Sequence, residues 1–195
     1  VYEAEDGSSG RRVALKVLGH TLDSPELRQR FLREGQLAAG IRHPNTIAIF
    51  DANQIENTPV IAMEIVPDGT LKDHVKRRGA LPVVEAVDAA LQIIAGLEAA
   101  QTGGVLHRDI KPANCFVTPE GAVKVGDFGL SISTLVKAED QLTQPGTVLG
   151  TPAFASPEQL RAQEIDVRSD IYSVGATLYY LLTGKPPHDA DSLVA

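Results

Sequence analysis

The sequence holds a single cysteine, Cys115, so no internal disulfide framework can staple it, and its chemistry is compatible with a reducing compartment. Positive charge is also scarce: 18 Lys and Arg stand against 25 Asp and Glu, a net charge of −7. That balance argues against the broad basic face that nucleic-acid binding requires. No apolar run reaches the roughly 18 residues of a membrane span, and the N-terminus lacks the basic-then-apolar layout of a secretory signal. The five histidines (His20, His43, His74, His107 and His188) have no metal-ligand spacing with one another or with Cys115. Repeats and low-complexity tracts are absent too. What remains is an ordinary globular composition, 43% hydrophobic and 22% charged over 195 residues, enough for one sizeable core or two small ones. The first residues, Val1-Tyr2-Glu3-Ala4, read as the middle of a strand, and the last lie in a polar loop after Pro186-Pro187. A fragment is the expectation.

Chemistry concentrates between His107 and Gly129. His107-Arg108-Asp109-Ile110-Lys111-Pro112-Ala113-Asn114 is followed by a short apolar piece, a turn at Pro119-Glu120-Gly121, a second apolar piece, and Asp127-Phe128-Gly129. The pattern predicts a small strand pair whose two flanking loops carry Asp109, Lys111, Asn114 and Asp127. Two carboxylates and an amide that converge suit magnesium-assisted phosphoryl transfer. The hard cation takes oxygen ligands, and a separate carboxylate can orient an attacking hydroxyl.

Upstream, Val1–Glu5, a turn at Asp6–Gly10 and Val13–Leu18 read as a β-hairpin. Alternation puts Ala14, Lys16 and Leu18 on one face, so Lys16 sits among apolar neighbours. Ser24-Pro25 is a good helix start, and the helix runs to about Gly40. Its apolar stripe is Leu27, Phe31, Leu37 or Ala38, and Ile41, with Glu34 inside it. Two misplaced charges predict a Lys16–Glu34 pair. The alternatives are a Lys16 that snorkels to water and a Glu34 facing solvent at the helix boundary. Strands follow at Thr46–Phe50 and Pro59–Val66, then a turn at Pro67-Asp68-Gly69. A short helix spans Leu71 to about Arg78. A longer one runs from Pro82 to Gly103-Gly104, with Val84, Val87, Leu91, Ile94 and Leu97 on its packing face. Leu130–Glu158 is a long, weakly periodic loop bearing Ser131, Ser133, Thr134, Thr143, Thr147 and Thr151. Asp170–Thr183 is apolar nearly all round, which predicts a buried central helix.

These pieces stand in the order of the protein-kinase signature set. Val13-Ala14-Leu15-Lys16 matches the lysine strand and Glu34 the helix-C glutamate. His107-Arg108-Asp109 through Asn114 matches the catalytic loop, and Asp127-Phe128-Gly129 the magnesium motif. Ala155-Ser156-Pro157-Glu158 stands where Ala-Pro-Glu is expected, with Ser156 intervening. Asp170 and Gly175 match the helix-F pattern. The chain therefore resembles a serine/threonine protein kinase, and is most similar to the eukaryotic-like (Hanks-type) kinases of bacteria.

The resemblance implies an α+β, bilobal protein-kinase-like fold. Residues 1–66 would form an N-lobe of antiparallel sheet plus helix C, and 67–195 a mainly helical C-lobe. Truncation at both ends would remove the glycine-rich loop before Val1 and the last helices, weakening ATP binding by the fragment. It implies ATP and Mg2+ (or Mn2+) as cofactors and transfer of the γ-phosphate to Ser/Thr hydroxyls of protein substrates. Asp109 would orient the hydroxyl, Lys111 would meet the γ-phosphate, and Asn114 and Asp127 would hold metal. Lys16 would hold the α/β-phosphates and Glu34 would hold Lys16. Val1, Ala14 and Phe116 would sandwich the adenine, Met63 would stand behind it, and Glu64 and Val66 would bond it. Arg108 would pair with a phosphate on the Leu130–Glu158 loop, with Thr143 and Thr147 as the leading sites, and Thr151 would bond Asp109 and Lys111. His107, Phe128, Cys115 and Asp170 are expected to be structural. The resemblance further allows dimerisation for autophosphorylation, a cytoplasmic kinase domain, and a membrane anchor outside these residues. Two other readings compete: a pseudokinase-type binding scaffold and a small-molecule kinase. The four residues Lys16, Asp109, Asn114 and Asp127 weigh against the first, and Lys111 with Gly150–Glu158 against the second.

Overall fold

The computed structural model describes residues 1–7, 9–17, 25–56, 58–128, 152–161 and 163–188. Strands β1 (Tyr2–Asp6) and β2 (Arg11–Val17) pair antiparallel, with Tyr2 opposite Leu15 and Asp6 opposite Arg11. Gly10, at φ 66°, takes the left-handed conformation that closes the hairpin without a Cβ clash. Strands β3 (Ile49–Ile55) and β4 (Thr58–Met63) complete a four-stranded sheet in the order β1-β2-β4-β3. The expected strands at 46–50 and 59–66 are thus shifted. Thr46 makes only an isolated bridge to Val125, and residues 64–66 leave the sheet.

Helix α1 (Pro25–Ala39) lies against β3 and β4. A Cβ on its Gly35 would stand 2.9 Å from Ala52 Cβ and 3.0 Å from Ile61 Cδ1, so glycine is what permits this approach. Phe31 and Ala38 are buried while Leu37 is exposed, which selects Ala38 for the stripe. The side chain of Leu27 is outside the description.

Helix α2 (Leu71–Arg78) is opened by a capping box. Thr70 Oγ1 accepts from the Asp73 N–H at 3.2 Å, and the Asp73 carboxylate accepts from the Thr70 N–H at 2.9 Å. Helix α3 (Val83–Thr102) corrects the expected packing face. Val84 is 80% exposed and Leu91 59%, and Val87 and Ile94 are also open. The buried side is Ala86, Ala89, Ala90, Ile93, Gly96, Leu97 and Ala100. Small residues let this helix come close to its neighbours: a Cβ on Gly96 would lie 2.5 Å from the Asn45 carbonyl oxygen.

A two-stranded sheet, β5 (Cys115–Val117) with β6 (Val123–Val125), sits beside α3. It is followed by the short helix α4 (Pro157–Leu160) and by α5 (Val167–Thr183), which packs on α3. Helix α5 begins a turn before Asp170, where the Asp166 side chain accepts from the Arg168 N–H at 2.9 Å. It is not apolar-buried all round. Its hidden face carries Ser169, Asp170, Ser173 and Thr177, while Ile171 and Tyr179 are exposed. Asp170 and Ser173 bond main chain, Ser173 Oγ donating to the Phe154 carbonyl at 2.8 Å, and Ser169 Oγ donates to the Glu158 carboxylate, while the Thr177 hydroxyl has no partner among the described residues. One core cluster lies among α2, α3, β5, β6 and α5, and a second joins α1 to the four-stranded sheet.

Candidate active site

The β5–β6 hairpin turns through Gly121 at φ 85° and presents a loop at each open end. Its walls are apolar: Cys115 and Val125 face each other, both fully buried. Burial alone pushes the Cys115 thiol up to about 12, so it remains protonated and unreactive near neutrality. Asn45 ties the hairpin to α3, donating to Gln92 Oε1 at 2.9 Å and to the Val123 carbonyl at 2.8 Å.

The loop before β5 is held by main-chain anchors. Arg108 has φ 66°, in the left-handed region that residues other than glycine rarely adopt. Asp170 offsets this strain from α5, accepting from the His107 N–H at 2.9 Å and from the Arg108 N–H at 2.7 Å. Gln159 Nε2 donates to the Arg108 carbonyl at 2.7 Å from the far side. His107 is fully buried against Phe128, ring centroids 4.9 Å apart. Its Nδ1 accepts from the Asp109 N–H at 3.2 Å, which leaves Nε2 to donate to the Gly126 carbonyl at 2.7 Å. One imidazole thereby joins the loop before β5 to the loop after β6. There Asp127 is the second strained residue, at φ 62°.

Three polar side chains converge on this frame. Lys111 Nζ lies 2.8 and 3.0 Å from the two oxygens of Asp109. Asn114 Nδ2 donates to the Asp109 carbonyl at 2.8 Å and to its Oδ2 at 3.0 Å. Among the described residues no donor meets the Asn114 carboxamide oxygen. From the four-stranded sheet, Lys16 Nζ reaches Asp127 Oδ1 at 2.9 Å and spans the cleft.

This contact corrects the expected Lys16–Glu34 pair. In the structure Lys16 turns to Asp127, and Glu34 Oε1 lies 4.0 Å from Arg108 Nη1. Both charges are partly buried and both meet an opposite charge, so the physical demand that predicted a pair is satisfied by two other pairs. Spacing along the strand and the helix identifies the misfit charges without identifying their partners. The long-range neighbours Arg108 and Asp127 were open to the same logic.

Of the adenine candidates, Ala14, Met63, Val66 and Phe116 belong to one apolar cluster with Ile47 and Ile49. Ala14 and Met63 are register partners across β2 and β4. Val1, at 77% exposure, stands open at the sheet's edge. A narrow pocket behind Met63 is lined by Ile47, Ile61, Gly126 and Asp127 among others. Glu64 bonds through its N–H to the Ala48 carbonyl at 2.8 Å. Gly129, Ser131, Ser133, Thr134, Thr143, Thr147 and Thr151 lie outside the described residues.

Two participants went unnoticed in the sequence. Gln159 grips the Arg108 carbonyl, and Lys124 pairs with Glu64 at 3.0 Å. Lys124 had a readable signal, a lysine between Val123 and Val125 and therefore on the opposite face of an otherwise buried strand. Gln159 had none, because its partner is a main-chain carbonyl far away in sequence. Near it, Glu158 accepts the Ser169 hydroxyl at 2.5 Å, a bond that holds its carboxyl below the usual carboxylate range.

Comparison with known proteins identifies the family and the fold. The sequence profile of the protein kinase domain matches residues 1–194. The serine/threonine-protein kinase PknB of Mycobacterium leprae is 40% identical over the whole of this chain, and a probable PknB of Lactococcus lactis is 39% identical. The chain spans about a third of the length of these curated relatives, 32% and 31% respectively. The crystal structure of the Mycobacterium tuberculosis PknI kinase domain superposes with a TM-score of 0.78 at 29% identity, over 96% of this chain and 70% of that one. The chain belongs to the protein kinase domain family, among the eukaryotic-like (Hanks-type) serine/threonine kinases of bacteria, and represents part of that catalytic domain.

Proposed function

We propose that this chain transfers the γ-phosphoryl group of Mg-ATP to serine or threonine hydroxyls of proteins. The single observation that carries the reading is the convergence of Asp109, Lys111 and Asn114 on one side of the cleft with the Lys16–Asp127 contact on the other. Asp109 is placed to orient the attacking hydroxyl and take its proton, with Lys111 beside it to meet negative charge on the transferred group. Asn114, its amide nitrogen spent on Asp109, offers a carboxamide oxygen, and Asp127 offers carboxylate oxygen. That is the hard donor set a divalent cation takes alongside phosphate. Bound Mg-ATP would supply the phosphoryl group and the charge neutralisation. Ala14, Met63, Val66 and Phe116 supply an apolar seat for the base, with Glu64 and Val66 main chain at its rim.

Regulation extends the same reading. A phosphate on Thr143 or Thr147 would compete for Arg108 and draw it from Glu34, which would then be released toward Lys16. Dimerisation for autophosphorylation, a cytoplasmic kinase domain and an anchor elsewhere in a longer protein accord with this proposal. A binding scaffold without transfer is disfavoured by the presence of Lys16, Asp109, Asn114 and Asp127 in one cleft.

The test supplies Mg-ATP and a mixture of protein substrates to the chain and to Asp109→Asn. Protein phosphoserine or phosphothreonine is expected with the unsubstituted chain, and a loss of about a hundredfold or more is expected in the variant. Nucleotide binding without any transfer would favour the scaffold, and transfer only to small molecules would overturn the choice of acceptor.

A further inference from the structure

Lys124 and Glu64 form an ion pair that none of the roles above uses. Lys124 Nζ lies 3.0 Å from Glu64 Oε1 and 3.1 Å from Oε2, with the two side chains only 18% and 27% exposed. The carboxylate is gripped a second time, because Oε2 also accepts from the Ala48 N–H at 3.1 Å. The Glu64 main chain is gripped too, its N–H donating to the Ala48 carbonyl at 2.8 Å. Net stability is a poor reason to withdraw two charges from water. Geometry is a better one.

Lys124 is the cross-strand partner of Phe116, so both side chains share one face of the hairpin, and Phe116 packs on the same apolar cluster as Val66 and Ala14. The pair therefore fastens the connecting segment 64–66 to the floor of the apolar seat. Since the Glu64 N–H is spent on Ala48, the main-chain group this residue can offer a base is its carbonyl oxygen, an acceptor. An acceptor there is matched by an exocyclic amino group and opposed by an exocyclic carbonyl, which cannot donate.

We propose that Lys124 is a positioning residue which, through the Glu64 carboxylate, fixes the main-chain carbonyl of Glu64 and so sets the preference for adenine over guanine nucleotides. The inference rests on the kinase reading, yet it fails separately from it. Three positions after Lys124, in the loop that leaves the same strand, stands Asp127, so one rigid hairpin would place both the base-selecting clamp and the carboxylate of the metal site.

The experiment measures equilibrium binding of Mg-ADP and Mg-GDP to the chain, to Lys124→Met and to Lys124→Arg, together with thermal unfolding of each. The ratio of ADP to GDP affinity is expected to fall about tenfold in Lys124→Met, the equivalent of roughly one well-placed hydrogen bond. Most of that loss should come from weaker ADP binding, and Lys124→Arg should recover most of the ratio by keeping the charge. Glu64→Gln, which retains an acceptor for Ala48 but loses the charge that holds Lys124, should reproduce the loss if Lys124→Met does not fold. An unchanged ratio in the folded variants would overturn the proposal, as would an equal weakening of both nucleotides. Failure of the unsubstituted chain to bind ADP at all would instead overturn the kinase reading, and this inference with it.

Discussion

Asp170 decides the shape of the site without reaching into the cleft. Only 3% exposed, it receives two consecutive main-chain N–H groups, and those bonds hold Arg108 in a left-handed conformation. Asp170→Ala would strand both donors where little water reaches them. Each unsatisfied group costs about 1–3 kcal/mol, so a loss of about 2–6 kcal/mol in urea denaturation is expected, together with loss of phosphoryl transfer. A change below about 1 kcal/mol would mean that the loop does not depend on this anchor. At this scale the sequence was informative about identity and silent about partners. Asp109, Asn114 and Asp127 could be picked out because carboxylates and amides cluster where little else is polar. The misfit of Lys16 and Glu34 was equally visible, since a charge amid apolar spacing needs a counter-charge. Which counter-charge it meets depends on distances that no spacing encodes, and the structure places Asp127 and Arg108 there.

Helix α3 shows where periodicity misleads. Large aliphatic residues at helical spacing suggested a packing face, yet Val84 and Leu91 are exposed and the alanine and glycine side is hidden. The reason is distance. Where α3 packs against residues 45 and 125 there is room at position 96 for a hydrogen and no more, as the 2.5 Å approach at Gly96 makes plain. Gly96→Ala should therefore destabilise by about 1–3 kcal/mol, read from the unfolding midpoint, because the added methyl meets a main-chain carbonyl that cannot swing away. Helix propensity alone predicts the opposite sign, a gain of about 1 kcal/mol, so the two accounts are cleanly separated. The boundaries of α2, by contrast, were readable in advance. Thr70, Asp73 and Gly79 carry their cap chemistry locally, within one turn of the residues they serve.

For the whole molecule, the salient contact is Lys16 to Asp127, which joins the four-stranded sheet to the loop after the small hairpin across 111 positions of sequence. A ligand that bridges both sides should stabilise the fold as a unit. Mg-ADP at about one hundred times its dissociation constant is expected to add roughly 2.7 kcal/mol of apparent stability, measured as a raised unfolding midpoint. Lys16→Met should shrink that increment and abolish transfer while the ligand-free chain stays folded. An increment of full size in the variant would remove Lys16 from the phosphate site.

The sequence by itself determined the family, the order of the elements and the set of polar groups available for chemistry. Those follow from local rules, namely strand alternation, helix caps, turn residues and short motifs of defined spacing. Tertiary structure alone decided which charges pair, which face of α3 is buried, and that Lys124 grips Glu64. Each of these depends on through-space distances of a few ångströms between segments remote in the chain. Coulombic energies fall steeply and packing energies change sign over such distances, and the order of residues does not specify them.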